Sequence, residues 1–186
     1  MSGKPTKDEL AAAYGTTIPD VLAPGLDVLF CGINPGLYSG AVGLHFARPG
    51  NRFWPALHAG GFTPRLLDPS EQTELLAAGL GITNVVARAT ARADELGDDE
   101  LRLGGQALVA KVREYHPRWL AVVGITAYRI AFGEPKAKVG RQEHRIGGTR
   151  VWVLPNPSGL NAHWSGPRLG EAFGDLRRAE QAHRVQ

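Results

Sequence analysis

The run Asp27-Val28-Leu29-Phe30-Cys31-Gly32-Ile33-Asn34-Pro35-Gly36 decides the fold that we predict for this 186-residue chain. Its first six residues form a short, mostly apolar run that is closed by glycine. A run that is apolar on both faces is typical of a strand buried within a sheet. Similar runs occupy residues 119–124 and 151–155, and a weaker one spans residues 81–86. The chain is therefore expected to build a buried sheet from these strands.

Patterns with helical spacing separate the predicted strands. They cover residues 51–59, 70–78 and, most clearly, 98–115, where Asp98 can cap the helix and one face carries Leu101, Leu108, Val112 and Tyr115. A last helix is predicted after Gly166-Pro167, where proline suits the first turn and one side carries Leu169, Ala172, Phe173 and Leu176. Strands that alternate with helices predict an α/β fold, with three α/β/α layers and a central, mainly parallel sheet flanked by helices.

The length and composition predict one domain. With 186 residues, 43% of them hydrophobic, the chain can fill one core but is too short for two ordinary domains. Residues 1–20 are predicted to form a polar tail in which one helical turn could form, and residues 21–186 to form the single domain. No segment approaches the roughly 20 apolar residues of a membrane span, and charged residues stand where a signal peptide needs an apolar run. We therefore expect a cytoplasmic protein, nucleoid-associated if its source is bacterial.

Charge and cysteine content limit the function classes. Lys and Arg exceed Asp and Glu by 21 to 18, which gives a net charge of +3, a mildly basic balance. Seven arginines and four acids follow Gly140, so a basic face for phosphate groups is allowed. The single cysteine, Cys31, excludes an internal disulfide and, unless subunits share it, a metal site that needs several thiolates. We interpret Cys31 as a small buried hydrophobe.

Two loops that follow predicted strands share an unusual composition. Asn34-Pro35-Gly36 and Asn156-Pro157-Ser158-Gly159 each place Asn-Pro and then a glycine behind a buried strand. Because ligands of open α/β folds bind beyond the carboxyl ends of the strands, these loops are candidates to face each other across one site. For either loop alone, an ordinary tight turn is the simpler interpretation.

Four motifs together carry a family resemblance. They are Gly32-Ile33-Asn34-Pro35-Gly36, Phe46-Ala47-Arg48-Pro49, Asn51-Arg52-Phe53-Trp54 and Asn156-Pro157-Ser158-Gly159-Leu160. In this order and spacing they resemble the mismatch-specific uracil-DNA glycosylase and thymine-DNA glycosylase family, within the uracil-DNA glycosylase superfamily. The resemblance runs from about residue 22 to about residue 178.

The resemblance implies a monofunctional DNA N-glycosylase that works in base excision repair. Such an enzyme flips uracil, or a mismatched thymine, out of duplex DNA and hydrolyses its N-glycosidic bond to leave an abasic site. The expected substrate is double-stranded DNA, chiefly with G:U pairs. We further expect a monomer that needs no metal and no organic cofactor and does not contact membranes.

The resemblance assigns catalytic roles to three polar residues. Asn34 stands where the family orients the attacking water, although an amide cannot take a proton from water at neutral pH. Asn156 stands where related enzymes have a histidine near the leaving base, to which an amide could donate a hydrogen bond. Asp94 replaces an asparagine, and a carboxylate close to the pocket could act as a general base or stabilise the cationic sugar. The alternative for Asp94 is a solvated surface acid.

The resemblance also assigns residues that hold the base. Ile33 and Phe46 match the groups that read the flipped pyrimidine, with the Phe46 ring stacked on it. Packing in the core is the alternative for Phe46. Tyr38 and Ser39 follow Gly36 where small residues are common in the family, so Tyr38 is expected to narrow or reshape the pocket mouth unless it is simply a surface aromatic.

A third group resembles the wedge that enters the duplex. Gly159, Leu160 and Asn161 match this wedge, with Leu160 as the apolar plug that fills the space left by the flipped base. After Leu160 the family often continues with serine and arginine, whereas this chain has Asn161-Ala162-His163-Trp164. A strict preference for guanine opposite the uracil is therefore not implied.

Two other functions stay open at this point. The chain could belong to another uracil-DNA glycosylase branch that acts on single-stranded or generic uracil DNA, although the iron-sulfur branch is disfavoured because it needs four cysteines. It could also be a non-catalytic α/β module that binds nucleic acid or a nucleotide, with the Asn-Pro loops as structural turns. Such a module would bind duplex DNA without forming abasic sites.

Overall fold

A five-stranded sheet forms the centre of the computed structural model, which describes residues 3–184. The strand order is β2-β1-β3-β5-β4, in which β4 alone runs antiparallel to its neighbour. Residues 1–2, at the start of the predicted tail, and residues 185–186, at the end of the predicted domain, lie outside the described residues. The strands are β1 (Val28–Gly32), β2 (Leu80–Asn84), β3 (Trp119–Val123), β4 (Gly140–Ile146) and β5 (Thr149–Leu154).

Helices cover both faces of the sheet, which confirms the predicted three-layer α/β fold. Alternate strand residues pack against α3 and α6 on one face and against α4 and α5 on the other, in two separate cores. No helix among the described residues is long and apolar enough to cross a bilayer. The helices are α1 (Lys7–Ala12), α2 (Leu37–Val42), α3 (Phe53–Ala59), α4 (Asp98–Tyr115), α5 (Ile125–Ala131) and α6 (Gly166–Arg184), with 3₁₀ segments at Pro69–Ala78 and Ala93–Glu95.

The predicted elements are present, with shifted ends in most cases. The four predicted strands correspond to β1, β2, β3 and β5, and α4 has the predicted bounds. Its N-cap is Gly97 without a side-chain cap, so the prediction that Asp98 caps this helix is wrong; Asp98 is the first helical residue instead. Residues 70–78 belong to a 3₁₀ helix that begins at Pro69 and is capped by Asp68.

Strand β4 was not predicted, because its sequence Gly-Arg-Gln-Glu-His-Arg-Ile is almost entirely polar. It lies at the edge of the sheet and pairs with β5 on one side, while its other edge has no neighbouring strand in the sheet. Charged residues on an edge strand also oppose pairing with other chains. The apolar pattern that reveals a central strand is therefore missing here.

The segment before Val21 packs onto the domain rather than extending from it as a tail. It contains α1, and the backbone of Gly15 and Thr16 forms two hydrogen bonds of 2.8 Å with Ala89. Ile18 is buried, and Val21 forms an isolated bridge with β2. Backbone pairing with a distant loop leaves no pattern in the sequence. For this reason the sequence alone predicted a polar tail here. The domain boundary at residue 21 stays a prediction.

The topology brings three loops to one edge of the sheet. Strand β1 lies between β2 and β3, and Gly32 at its carboxyl end is paired with Asn84 at the end of β2. Strand β5 also runs parallel to β3 and ends at Leu154 on the same side. The loops that follow β1, β2 and β5 therefore converge.

Candidate active site

A cavity of about 410 Å³ lies where these three loops meet. This volume lies within the range of small-ligand pockets. Most of the residues singled out in the sequence line it: Ile33, Asn34, Ser39, Phe46, Asp94, Asn156 and Leu160. The prediction that the two Asn-Pro loops face one site is in agreement with this arrangement.

The amide of Asn34 is held in one orientation. Its Nδ2 donates to the backbone oxygen of Arg88 at 2.9 Å and to Oγ1 of Thr90 at 2.8 Å. A carbonyl oxygen can only accept, and the Thr90 hydroxyl already donates to the backbone oxygen of Arg92 at 2.7 Å. Both amide protons of Asn34 are therefore engaged, and Oδ1 remains as an acceptor at the cavity.

The amide of Asn156 has the opposite polarity. Its Oδ1 accepts a hydrogen bond of 2.9 Å from the backbone N–H of Ser158. Because a backbone N–H can only donate, this bond fixes the oxygen in the turn and leaves Nδ2 as the group with protons to give. The cavity thus contains an oriented acceptor on Asn34 and an oriented donor on Asn156.

Phe46 forms part of the cavity wall in an uncommon conformation. Its φ is +52°, in the left-handed region that few non-glycine residues adopt. One face of its ring is stacked on Phe53, with ring centroids 4.1 Å apart. The backbone on either side is fixed, because Gln72 accepts from the His45 N–H and Ser39 accepts from the Ala47 N–H. Core packing and exposure to the cavity are therefore combined in this one ring.

The neighbours Tyr38 and Ser39 have different positions. Both lie on α2, where successive side chains point in directions about 100° apart. Ser39 is buried and lines the cavity, whereas Tyr38 is half-buried and does not line it. The contribution of Tyr38 to base binding therefore stays a prediction, which the lining of this cavity does not support.

Asn84 and His45 are cavity residues that the sequence did not reveal. Nε2 of His45 lies 2.9 Å from the backbone oxygen of Pro19 and carries the proton of the ring, since that oxygen can only accept. Burial lowers the pKa of His45, so the ring is neutral and its Nδ1 can accept a weak hydrogen bond of 3.5 Å from Nδ2 of Asn84. Asn84 ends β2 beside Gly32, a position that only the register reveals.

The loop after β5 is held by one arginine. The guanidinium of Arg52 donates to the backbone oxygens of Ser158 at 2.7 Å, Asn161 at 3.2 Å and Trp164. The Arg52 backbone N–H donates to the oxygen of Pro157 at 2.9 Å. Arg52 belongs to a motif that we used for the resemblance, but no local pattern indicates these contacts across more than a hundred residues.

Within this loop, the predicted wedge residues divide into two kinds. Leu160 is 79% exposed at the apex, more than the other exposed large apolar side chains of the described residues. Gly159 lies against Gly50, whose oxygen would be 2.6 Å from an added Cβ. Asn161, by contrast, is half-buried, and its amide donates to the backbone oxygen of Asn156 at 3.1 Å. In the unbound protein Asn161 therefore holds the loop, and its place in the wedge stays a prediction.

Asp94 lies at the rim of the cavity. Its side chain is 72% exposed and pairs with Nε of Arg92 at 3.1 Å. This geometry agrees with a solvated acid in the unbound protein.

The remaining candidates for reactive groups are buried or dispersed. Cys31 is fully buried, and desolvation raises the pKa of its thiol, which keeps it protonated. Among residues 3–184, no group of three or more His, Cys, Asp or Glu side chains is placed to share a metal ion. The side chains that line this cavity include four amides, one histidine and one carboxylate.

Comparisons with known proteins give the family. The model of the uracil DNA glycosylase superfamily matches residues 19–177. This chain therefore belongs to the uracil DNA glycosylase superfamily. Among solved structures, it resembles the solution NMR structure of a protein from Methanosarcina acetivorans that is provisionally assigned as a uracil DNA glycosylase. The two share 22% sequence identity and a TM-score of 0.60, over 89% of this chain and 98% of that one, which shows a common fold.

The contacts of Arg52 give a first testable prediction. Arg52→Lys should make amide hydrogen exchange in residues 158–164 at least tenfold faster, because one ammonium cannot span several carbonyls and each charged hydrogen bond contributes about 1.5–3 kcal/mol. Arg48→Lys, a change in an exposed arginine of the same segment, is the matched control and should leave this exchange unaltered. Equal exchange in the two variants would contradict the role given to Arg52.

Proposed function

We propose that this protein is a mismatch-specific DNA glycosylase of the uracil and thymine type. It hydrolyses the N-glycosidic bond of uracil in duplex DNA, chiefly in G:U pairs, and leaves an abasic site. It acts as a monomer, in the cytoplasm, without a metal or an organic cofactor. The observation that carries this proposal is the opposite polarity of the two amides, an acceptor on Asn34 and a donor on Asn156.

This polarity fits the two charges that develop in the reaction. As the bond between N1 of uracil and C1′ of the sugar breaks, its electron pair goes to the base and the sugar becomes cationic. A water whose O–H donates to Oδ1 of Asn34 has its lone pair free to bond to C1′. Nδ2 of Asn156 can donate to an oxygen of the departing uracil anion and stabilise it.

The water must also lose a proton, and Asn34 cannot accept it at neutral pH. Once the oxygen of the water is bonded to the cationic C1′, its proton is acidic enough to pass to solvent at the open mouth of the cavity. Most of the rate enhancement must therefore come from orientation and from stabilisation of charge. Turnover should be slower than in related enzymes that have an aspartate at the water-positioning residue.

The flipped base is held by the cavity wall. One face of Phe46 is covered by Phe53, and stacking of a pyrimidine on the other face would contribute about 1–3 kcal/mol. Ile33 contributes apolar contact, and the Asn84 amide can form hydrogen bonds with the polar edge of the base. Ser39 supports this wall through its bond to Ala47 rather than by reading the base itself.

The preference for mismatches rests on the cost of flipping. A mismatched base leaves the stack more easily than a paired one, so a G:U pair is opened with less energy than an A:U pair. Leu160 would fill the vacated space, and the contacts with Arg52 keep it at the apex. The opposite base would contact residues 159–164, whose sequence differs from the family pattern, so we expect the preference for guanine to be partial.

Asp94 is proposed to assist the reaction from the rim. A bound duplex would cover this edge of the cavity, and a phosphate offers Arg92 another partner in place of Asp94. The freed carboxylate would then stabilise the cationic sugar or receive the proton of the water.

The central prediction concerns uracil excision itself. The protein should convert uracil-containing duplex DNA to alkali-labile sites, and Asn34→Ala should lower the single-turnover rate at least about 100-fold. Asn34→Asp should also be slow, because a carboxylate oxygen would then face the backbone oxygen of Arg88 with no proton between them.

Retained duplex binding by both Asn34 variants would show that the fold is intact. Duplex binding by the unaltered protein without strand breaks would favour the non-catalytic module and overturn the proposal.

A second prediction concerns specificity. Single-turnover rates on G:U, A:U, G:T and single-stranded uracil substrates should be highest for G:U, at least tenfold above A:U. Leu160→Ala should slow excision from duplexes more than from single strands, since only a duplex needs the space filled. Leu103→Ala removes another exposed leucine, on α4, and should change neither rate. Equal rates on all uracil substrates would assign the protein to a general uracil-DNA glycosylase branch.

A third prediction tests Asp94. Asp94→Asn should lower the single-turnover rate on G:U by about fivefold, the effect of a charge interaction near 1 kcal/mol. Asp99→Asn is the matched control, because Asp99 is also exposed and also pairs with a nearby arginine, Arg102. Identical rates for the unaltered protein and Asp94→Asn would make Asp94 a surface acid without a role in catalysis.

A further inference from the structure

Four arginines surround the end of the sheet opposite the candidate active site. Arg118 directly precedes β3, Arg150 lies near the start of β5, and Arg141 and Arg145 lie on the edge strand β4. We call this group the arginine cluster. Two of its members, Arg118 and Arg150, line a cleft of about 220 Å³ between the sheet and the end of α6.

The sheet register places three of these arginines on the same face. Arg150 is paired with Arg145 on β4 and with Trp119 on β3, and Arg141 is paired with Trp152. The register shifts between Arg141 and Arg145, so four residues of β4 span two residues of β5. The two arginines are therefore only about 7 Å apart along the sheet, because each strand residue spans about 3.3 Å.

The tryptophan beneath them supports the guanidinium groups without neutralising them. Arg141 and Arg150 both lie over the Trp119 ring, at 5.9 and 5.8 Å from its centroid. Such cation–π contacts orient a guanidinium through its face rather than its N–H groups. Nη1 of Arg141 also lies 3.4 Å from Nε2 of His183, and its other N–H groups have no bond of this kind to a carboxylate of residues 3–184.

The charge of the arginine cluster is not compensated within the described part of the chain. None of the four arginines forms an ion pair with a carboxylate of residues 3–184. Glu180 borders the cleft, but it is buried and already pairs with Arg177 and Arg184. Glu143 is exposed in the irregular part of β4 and is likewise without an ion pair among these residues.

Arg150 shows the consequence most clearly. Its Nε is buried without a hydrogen-bond partner. Burial, and then repulsion from Arg145, Arg141 and Arg118, lower the pKa of its guanidinium, although it stays charged. Unpaired charges held together in this way favour a bound anion.

We propose that the arginine cluster binds the phosphate backbone of a second nucleic-acid segment. Guanidinium groups match phosphate oxygens in paired, fork-like hydrogen bonds. The four groups border an exposed edge rather than a closed pocket, which suits a chain of phosphates. An acidic protein would be a less suitable partner, because stable protein interfaces need buried apolar anchors and these arginines are exposed or half-buried at a strand edge.

The segment must differ from the one that enters the active site. The two sites lie at opposite ends of strands of five or six residues, which is about 17 Å or more. Duplex DNA is stiff over about 150 base pairs, so one short duplex cannot turn from one end of the sheet to the other. A protein with both sites can hold two segments at once and pass between them.

The test is a bridging experiment with two short uracil-free duplexes, one with a donor fluorophore and one with an acceptor. The unaltered protein, at half the concentration of total duplex, should give energy transfer. Arg141→Gln/Arg145→Gln should abolish it, while single-turnover excision from one short uracil duplex stays unchanged. The matched control is Arg102→Gln/Arg113→Gln, which removes two exposed arginines from α4 and should bridge normally.

Salt dependence provides a second measurement. The slope of log binding constant against log salt for the second duplex should fall by about 2 in the double variant, one unit for each lost phosphate contact. A 1:1 stoichiometry for the unaltered protein, or normal bridging by Arg141→Gln/Arg145→Gln, would overturn the proposal. If labelled poly-glutamate binds through these arginines and no second duplex does, the partner is an acidic protein and the proposal is overturned. The inference rests on the proposed function for the first duplex, because bridging also needs DNA at the candidate active site. Excision from one short uracil duplex tests that function separately, so failure of either proposal can be distinguished from failure of the other.

Discussion

The hydrogen bonds from the Arg52 guanidinium to the backbone of the loop after β5 are the interaction on which the site depends. Arg52 immediately precedes α3, and the next residue, Phe53, supports the ring of Phe46. Two adjacent residues therefore support different parts of the cavity. The Phe53 ring packs against Phe46, and the Arg52 guanidinium holds the loop that carries the exposed Leu160. Without these hydrogen bonds, the loop after β5 would no longer be held against the segment that carries Arg52 and Phe53, which is distant from it in sequence.

The second constraint is the direction of the two amides. Chemically, Asn34 and Asn156 are identical, yet their surroundings make one an acceptor and the other a donor. The carbonyl of Arg88 imposes the first orientation and the N–H of Ser158 the second. This also explains why an aspartate at position 34 would suit this framework poorly, since the carbonyl beside it requires a donor. In the proposed reaction, this arrangement positions water rather than removing its proton.

The parts of the fold that follow from local sequence were predictable. The buried strands are apolar on both faces, and α4 has an apolar face with helical spacing, so both were recognised from residue types alone. The Asn-Pro loops were predicted to meet because parallel strands end at one edge. By contrast, Thr90 contacts Asn34 over 56 positions, and Asn84 reaches the cavity only through the pairing of β1 with β2. Contacts of this kind depend on register and backbone, which leave no periodic signal, and the polar edge strand β4 was missed for the same reason.

The segment before Val21 gives the site an unexpected dependence on sequence that lies outside the recognisable motifs. Pro19 fixes the tautomer of His45, and Asp20 accepts hydrogen bonds from Thr83 and Lys111. The backbone of Gly15 and Thr16 is hydrogen-bonded to Ala89, directly before Thr90, and Thr90 in turn orients Asn34. A fragment cut at the first strand would keep every family motif and lose the backbone contacts that support the Asn34 amide. The segment that supports this amide therefore begins more than ten residues before the first strand.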